Sequence, residues 1–282
     1  MLIKDFRQKF ITDLAAIYDV MEAERFFYML LEEYRSMRRI DLSLNPDAVF
    51  SDAERALFET AFEKLKTGIP IQYIIGKAHF YGLEFVVNPD VLIPRPETEE
   101  LVDWIVKDFE FHPDVVVLDI GTGSGCIAIA IAKNLGNAVV SAIDVSPGAL
   151  KTAKGNAERN SAQVHFIEKD ILSASELPAR YGVIVSNPPY VRHLEKKQMH
   201  ANVLDHEPHS ALFVENDDAL IFYRKISELA MVALIPGGKL YFEINQYLGD
   251  ETVALLKNKG FSEIELRQDI FGNDRMIKAV KP

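Results

Sequence analysis

From Pro113 to the C-terminus the chain alternates short, branched, apolar runs with amphipathic ones. "VVVLDIG", "AVVSAID", "VHFIEKD", "YGVIVSN" and "GKLYFEI" are apolar almost throughout, as parallel strands buried on both faces should be. "SGCIAIAIAKNL" and "GALKTAKGNAERN" fall between them with helical spacing, and two later β-like segments, "FSEIELRQDI" and "DRMIKAVK", follow. Alternation of this kind implies an open, doubly wound α/β sheet.

The residues before this region obey a different period. "DFRQKFITDLAAIYDV" and "EAERFFYMLLEEYRSM" place apolar residues three and four apart, as helices do. "SDAERALFETAFEKLKTGIP" opens with Ser51 and Glu54 at capping-box spacing and closes on Gly68 and Pro70, the start and stop signals of one helix. In "QYIIGKAHFYGLEFVVNPDVLIPRPETEELVDWIV", Phe80, Gly82 and their branched neighbours suggest a β-hairpin, and Pro94 and Pro96 punctuate the chain before a helix beginning near Glu97. The expected organisation is a helical domain over 1–71, a β-hairpin linker over 72–96 and an α/β domain over 97–282.

Ligands of open α/β sheets bind at the carboxyl ends of strands, near a switch in strand order. Three strand ends here carry suggestive residues. "LDIGTGSGC" runs from a strand through Gly121, Gly123 and Gly125 into a helix; such a loop brings backbone close to a ligand, or serves only tight strand–helix packing. Asp144, 23 residues after Gly121, ends "SAIDVS" where an acid can take both ribose hydroxyls of an adenosine. Asp170, ending "FIEKD", is placed to meet an adenine edge. Each acid alone is more often a helix N-cap or a solvated loop residue; on successive strands the set points to a nucleoside. A dinucleotide fingerprint needs G-x-G-x-x-G and a pyrophosphate site, whereas G-T-G-S-G breaks that spacing by one residue. S-adenosylmethionine carries no phosphate and is favoured over NAD.

A fourth strand runs into Asn187-Pro188-Pro189-Tyr190 and stops, because two prolines cannot continue a sheet ladder. Beyond ending a strand, this turn suits methyl transfer to a planar amide or amino nitrogen. Such a nitrogen is a poor nucleophile that needs orientation and polarisation. Asn187 Oδ1 and the Pro188 carbonyl could each accept one N–H of a target NH₂, the prolines removing backbone slack, with the Tyr190 ring free to stack on a planar group. Nucleic-acid amino groups qualify chemically, but the formal net charge of −11, and a count of 10 basic against 13 acidic side chains over residues 1–70, argue against a broad counterion-displacing surface.

Further classes are set aside by composition. The N-terminus "MLIKDFRQKF" is charged too early for a secretory signal, and "CIAIAIA" is far too short to span a bilayer. Cys126 is the only cysteine, and the histidines at 79, 112, 165, 193, 200, 206 and 209 show no paired ligand spacing, so no metal and a reducing cytoplasm are expected.

The glycine loop, the acidic strand end and "NPPY" together resemble class I amino-group methyltransferases. With "LIPRPETEELV", "PIQYIIGKAHFYGLEF", "EPHSALF" and "DIFGNDR" added, nearly the whole chain resembles the protein-(glutamine-N5) methyltransferases of the HemK/PrmC family. The resemblance implies a Rossmann-like S-adenosylmethionine-dependent domain, its sheet mostly parallel with an antiparallel last strand, preceded by a small all-helical domain that docks the partner. It implies methylation of the glutamine in the Gly-Gly-Gln tip of class I peptide chain release factors, modulating translation termination and leaving S-adenosylhomocysteine. On the matching positions Gly121, Thr122, Gly123, Ser124 and Gly125 would line the methionine part of the cofactor. Asp144 would hold ribose, Asp170 with Ile171 would border adenine, and Asn187, Pro188, Pro189 and Tyr190 would hold the glutamine. Arg95 and Glu97 would lie near the entrance, with Glu207 and Pro208 bracing it. Asn245 in "FEINQ" and His206 in "DHEP" depart from the family, which has glycine and commonly an aromatic there. The sister activity on a ribosomal-protein glutamine would share this catalytic domain. The expected working form is a cytoplasmic monomer with no membrane or nucleic-acid partner.

Overall fold

The computed structural model describes residues 1–112, 114–199 and 201–282; Pro113, the expected start of the alternating region, and His200 lie outside the described residues. The chain forms two compact units, residues 1–76 with 200–206, and residues 77–199 with 207–282.

The first unit holds α1 (Ile3–Leu14), α2 (Val20–Arg35), α3 (Arg39–Leu44), α4 (Asp52–Lys66) and α5 (Ile71–Ile75). Its helices bury the apolar stripe their sequences announce: Phe6 and Phe10 of α1, Phe27 and Leu30 of α2, and Phe58 and Phe62 of α4 meet in one core. Edge-to-face rings fill it, Phe6 against Phe58 at 6.0 Å and Phe10 against Phe27 at 5.6 Å between centroids. The capping box of α4 is made, with Glu54 Oε2 accepting the Ser51 N–H at 2.7 Å and Ser51 Oγ accepting the Glu54 N–H at 3.2 Å.

The second unit opens with the hairpin β1 (Lys77–Phe80) and β2 (Leu83–Val86), whose two-residue turn puts Tyr81 and Gly82 at φ 49° and 74°. The sequence presented this hairpin as part of a linker. Instead Phe80 and Phe85 enter the core of the α/β unit, and the buried Asn156 side chain bonds both the N–H and the carbonyl of Val86. The next elements are α6 (Pro96–Phe109), β3 (Val116–Ile120), α7 (Cys126–Asn134), β4 (Val139–Asp144), α8 (Pro147–Arg159), β5 (Val164–Glu168), β6 (Tyr181–Ser186) and β7 (Val191–Arg192). A 3₁₀ turn (His193–Gln198) leads to α9 (Ala201–His206), which groups with the first unit. Then come α10 (His209–Leu212), β8 (Phe213–Val214), α11 (Ile221–Ala233), β9 (Leu234–Glu243), α12 (Gly249–Asn258), β10 (Ser262–Gln268) and β11 (Asp274–Val280).

Seven strands form one sheet in the order β10-β11-β9-β6-β3-β4-β5. β9, β6, β3, β4 and β5 run parallel, and β11, the last strand, is antiparallel to both its neighbours. Successive side chains point to opposite faces, so Val183 and Val185 join the core beneath α6 and α7 while Ile184 joins the core beneath α11 and α12. The chain builds outward from β3 through β4 to β5 and then returns to β6 on the other side of β3. This reversal opens the crevice in which α/β sheets bind ligands.

Candidate active site

A cavity of about 280 Å³ lies at the carboxyl ends of β3, β4 and β6. Its lining brings together Arg95, Gly121, Thr122, Gly123, Ser124, Asp144, Asp170, Ile171, Asn187, Pro188 and Pro189, which the sequence distributes over 95 positions.

The loop after β3 is held from several directions. Asp144 Oδ2 accepts the Gly123 N–H at 2.8 Å and its Oδ1 accepts the Ser146 N–H at 2.9 Å, so one carboxylate ties the loop to the start of α8. Asn156, fully buried, donates to the Ser124 carbonyl at 2.9 Å. Beneath the loop Asp119 accepts the Thr122 hydroxyl at 2.6 Å; burial pushes its pKa up to about 7, and the Asp144 charge pushes the same way against that hydrogen bond. Gly121 and Gly123 line the cavity at φ +75° and +55°. Gly125 does not line it: a Cβ there would meet Ile129 Cδ1 at 2.9 Å and Ala153 Cβ at 3.1 Å. The two readings of the glycine loop therefore divide by position, the first two glycines serving the cavity and the third the packing of α7 on α8.

The turn after β6 follows from register. Ser186 pairs with Phe242 of β9, so the next residues, Asn187 and Glu243, emerge side by side. Pro188 and Pro189 line the cavity, whereas Tyr190 does not. The expected stacking face of Tyr190 is packed against the core, and its hydroxyl donates to Glu243 Oε1 at 3.1 Å; burial, reinforced by Glu243, raises its pKa far above the usual phenol value. Tyr190 braces the turn from behind. Asn245 completes the brace, its Nδ2 donating at 2.9 Å to both the Tyr190 carbonyl and Glu195 Oε2. The substitution noted in "FEINQ" thus pins the end of "NPPY".

At the cavity rim Arg95 Nη2 donates to Glu207 Oε1 at 2.6 Å, and Glu207 Oε2 accepts the Ile93 N–H at 3.3 Å. Glu207 is buried outside the lining and acts by holding Arg95 and its strand of backbone; Pro208 lines the cavity itself. Glu97 also lies outside the lining, in the first turn of α6, where a negative charge suits the helix dipole.

Two residues at the site were not singled out from the sequence. Thr98 donates its hydroxyl proton to Glu243 Oε2 at 2.6 Å and stands 3.5 Å from Asn187 Nδ2. Burial raises the Glu243 pKa, opposed by the Thr98 and Tyr190 hydroxyls and the Arg275 charge. Each left a trace: Thr98 is a polar residue on the buried stripe of α6 with Leu101, Val102 and Ile105, and Glu243 is an acid between Phe242 and Ile244.

The donor set fits S-adenosylmethionine. Asp90, Asp144 and Asp170 outnumber Arg95 and Lys169 in the lining. That charge pattern repels a pyrophosphate and suits a cofactor bearing a sulfonium and an ammonium.

Comparison with known proteins agrees with this geometry. The Methyltransferase small domain model matches residues 98–216, and the PrmC N-terminal domain model matches residues 5–76. The chain is 55% identical over 281 residues to a Flavobacterium psychrophilum protein named release factor glutamine methyltransferase, with 99% of each chain covered. A Bacteroides thetaiotaomicron protein of the same name is 45% identical over 268 residues, covering 94% of this chain and 95% of its own. By fold the chain is similar to a Thermus thermophilus 16S rRNA methyltransferase solved in complex with AdoMet and guanosine, at TM-score 0.52 and 20% identity, over 73% of this chain and 50% of that one.

Proposed function

Because the chain belongs to the release factor glutamine methyltransferase family, we propose that it transfers a methyl group from S-adenosylmethionine to the side-chain amide of a glutamine in a peptide chain release factor. The reacting atom on this reading is N5 of the glutamine in the Gly-Gly-Gln tip of class I factors. The observation that carries it is full-length likeness at 55% identity, which includes the N-terminal helical unit as well as the catalytic one. The sister activity on a ribosomal protein would share only the latter.

The cavity residues have distinct tasks in this reading. The Gly121–Ser124 backbone would hold the methionine part of S-adenosylmethionine, Asp144 the ribose, and Asp170 with Ile171 the adenine. When bound, that cofactor supplies the methyl electrophile on its sulfonium. Asn187 Oδ1 and the Pro188 carbonyl each accept one N–H of the glutamine amide, which fixes its plane and leaves the nitrogen's remaining direction toward the cofactor. The fixed φ of Pro188 and Pro189, braced by Tyr190 and Asn245, keeps the two acceptors in place. Arg95, secured by Glu207, keeps the rest of its guanidinium for the cavity it lines. No side chain has to act as a strong base, because an N-protonated amide gives up its proton readily to water.

No helix among the described residues is long and apolar enough to cross a membrane. A translation factor as substrate supports a cytoplasmic reaction, and a lining drawn wholly from one unit of one chain supports a monomer as the working form.

The test is methyl transfer from labelled S-adenosylmethionine to purified release factor, with a variant factor in which the tip glutamine is alanine, and with ribosomes and DNA alongside. Label that appears on the factor and vanishes with the tip change is the expected result. Label on a ribosomal protein or on DNA overturns the substrate while keeping the cofactor.

A further inference from the structure

A side-chain amide offers an oxygen on one side and an NH₂ on the other, nearly alike in shape, and only its hydrogen-bond partners decide which way it faces. If Asn187 is to accept an N–H from a glutamine, its Oδ1 must face the cavity. With Nδ2 there instead, two NH₂ groups would oppose each other. The adjacent turn of α6 and the end of β9 supply what decides between these states.

Thr98 Oγ carries one proton, and it lies 2.6 Å from Glu243 Oε2, a short, charge-assisted separation. The other oxygen, Glu243 Oε1, accepts the Tyr190 hydroxyl at 3.1 Å. Burial raises the Glu243 pKa, but both of its oxygens are engaged as acceptors of hydroxyl protons, so it has none placed to return to Thr98. Thr98 Oγ therefore has only lone pairs left for Asn187, whose Nδ2 stands 3.5 Å away. An Asn187 turned the other way would set oxygen against oxygen.

We propose that Glu243, acting through Thr98, is a positioning pair that sets the orientation of the Asn187 amide and so turns its Oδ1 toward the glutamine. The inference rests on the reading of Asn187 given above and adds two residues to it. Glu243, at 2% exposure, lies outside the cavity lining and reaches Asn187 through Thr98, which is also 2% exposed and stands at the cavity wall beside Asn187.

The pair predicts an unusual effect of an isosteric change. In Glu243→Gln the Tyr190 hydroxyl still needs an acceptor, which draws the new amide oxygen to its side and turns the NH₂ to Thr98. Thr98 must then accept from Gln and pass its own proton on to Asn187, whose Oδ1 rotates inward and whose Nδ2 enters the cavity. The polarity of the chain is reversed with no change of shape.

The experiment measures kcat, KM for release factor and S-adenosylmethionine affinity by calorimetry for full-length Glu243→Gln, Thr98→Val, Thr98→Ser and Asn187→Ala. Glu243→Gln and Thr98→Val are expected to lose kcat by about 10- to 100-fold, the scale of a misoriented reactant. Cofactor affinity should stay within about threefold, and Thr98→Ser, which keeps the hydroxyl, should hold most of the parent kcat. A packing role for Thr98 predicts the opposite order, valine tolerated and serine harmful, and that order overturns the proposal. So does a Glu243→Gln enzyme with parental kcat, which stands as a separate test if Thr98→Val does not fold. Asn187→Ala separates the two levels. Full turnover there removes the reading of Asn187 itself and the pair with it, whereas lost turnover beside an active Glu243→Gln removes only the pair.

Discussion

Alanine at Gly125 and alanine at Gly123 should destabilise the protein by different amounts, although the two positions share one loop and both have φ in the left-handed region. At Gly123, φ +55°, an added Cβ has nothing within 4 Å, so the cost is conformational, about 1–2 kcal/mol for an L-residue held there. At Gly125, φ +83°, the same cost applies, and the Cβ also meets Ile129 Cδ1 at 2.9 Å, Ala153 Cβ at 3.1 Å and Ala153 Cα at 3.4 Å. Ile129 and Ala153 are both fully buried, so neither can retreat into solvent. Overpacking of this kind adds about 1–3 kcal/mol. Gly125→Ala should therefore lose about 2–5 kcal/mol in urea unfolding. S-adenosylmethionine affinity of the folded Gly125→Ala fraction should remain near parental, since Gly125 does not line the cavity. Gly123→Ala should show the reverse balance, a small stability loss and a weaker cofactor. Equal stability losses at the two positions would refute the division of the loop into a ligand part and a packing part.

Other perturbations test the remaining assignments. Asn187→Ala should cut turnover severely while calorimetry finds S-adenosylmethionine affinity nearly intact; equal loss of both would make the residue a prop for the turn. Asp144→Ala should weaken the cofactor by about 1.5–3 kcal/mol, the worth of hydrogen bonds to a charged group, and unchanged affinity would reject its ribose role. The Asp119 pKa, raised from 3.8 to about 7, means that between these values the folded state keeps a proton the unfolded chain has released, so stability falls as pH rises through that window, by about 4 kcal/mol in all. Asp119→Asn keeps an acceptor for Thr122 and should be more stable than the parent at pH 8, with the gap closing toward pH 5. Parallel unfolding curves at both pH values would contradict the burial argument.

The parts of the site legible in the sequence are those that a strand end announces locally. Asn187, Asp144 and the first two glycines each follow an apolar run, and the alternation of strands and helices alone places them on one edge of a sheet. What could not be read is apposition between distant elements. Arg95 and Glu207 meet across 112 positions, and Asn156 reaches back 70 positions to the β2 backbone, which is why a hairpin that reads as a linker belongs to the α/β unit. Tyr190 misleads for the same reason: its neighbours in sequence line the cavity, but its ring packs against the core and its hydroxyl is held by Glu243 from the adjacent strand. Thr98 and Glu243 did leave a local signal, a polar residue on an apolar stripe and an acid in an apolar strand. Neither signal names its partner until the sheet register is known.

On the proposed role of Asn187, that register also gives a reason for an amide and not a carboxylate at position 187. Asn187 and Glu243 leave neighbouring strands side by side, with the single proton of Thr98 between them. An aspartate at 187 would turn an acceptor toward Thr98 Oγ, whose proton Glu243 already holds, and would set a second carboxylate against one whose pKa burial has raised. One of the two would then have to keep a proton, at the cost of either the orienting carboxylate or the acceptor facing the substrate. An amide meets both demands, because its NH₂ satisfies Thr98 and its oxygen carries the partial negative charge that a glutamine NH₂ requires. Asn187→Asp should therefore be worse than its near-identical shape suggests, with the loss falling in kcat and growing as pH rises above the carboxylate range. A pH-independent loss would show that shape, and not the proton count of the Glu243–Thr98–Asn187 chain, sets the choice of residue.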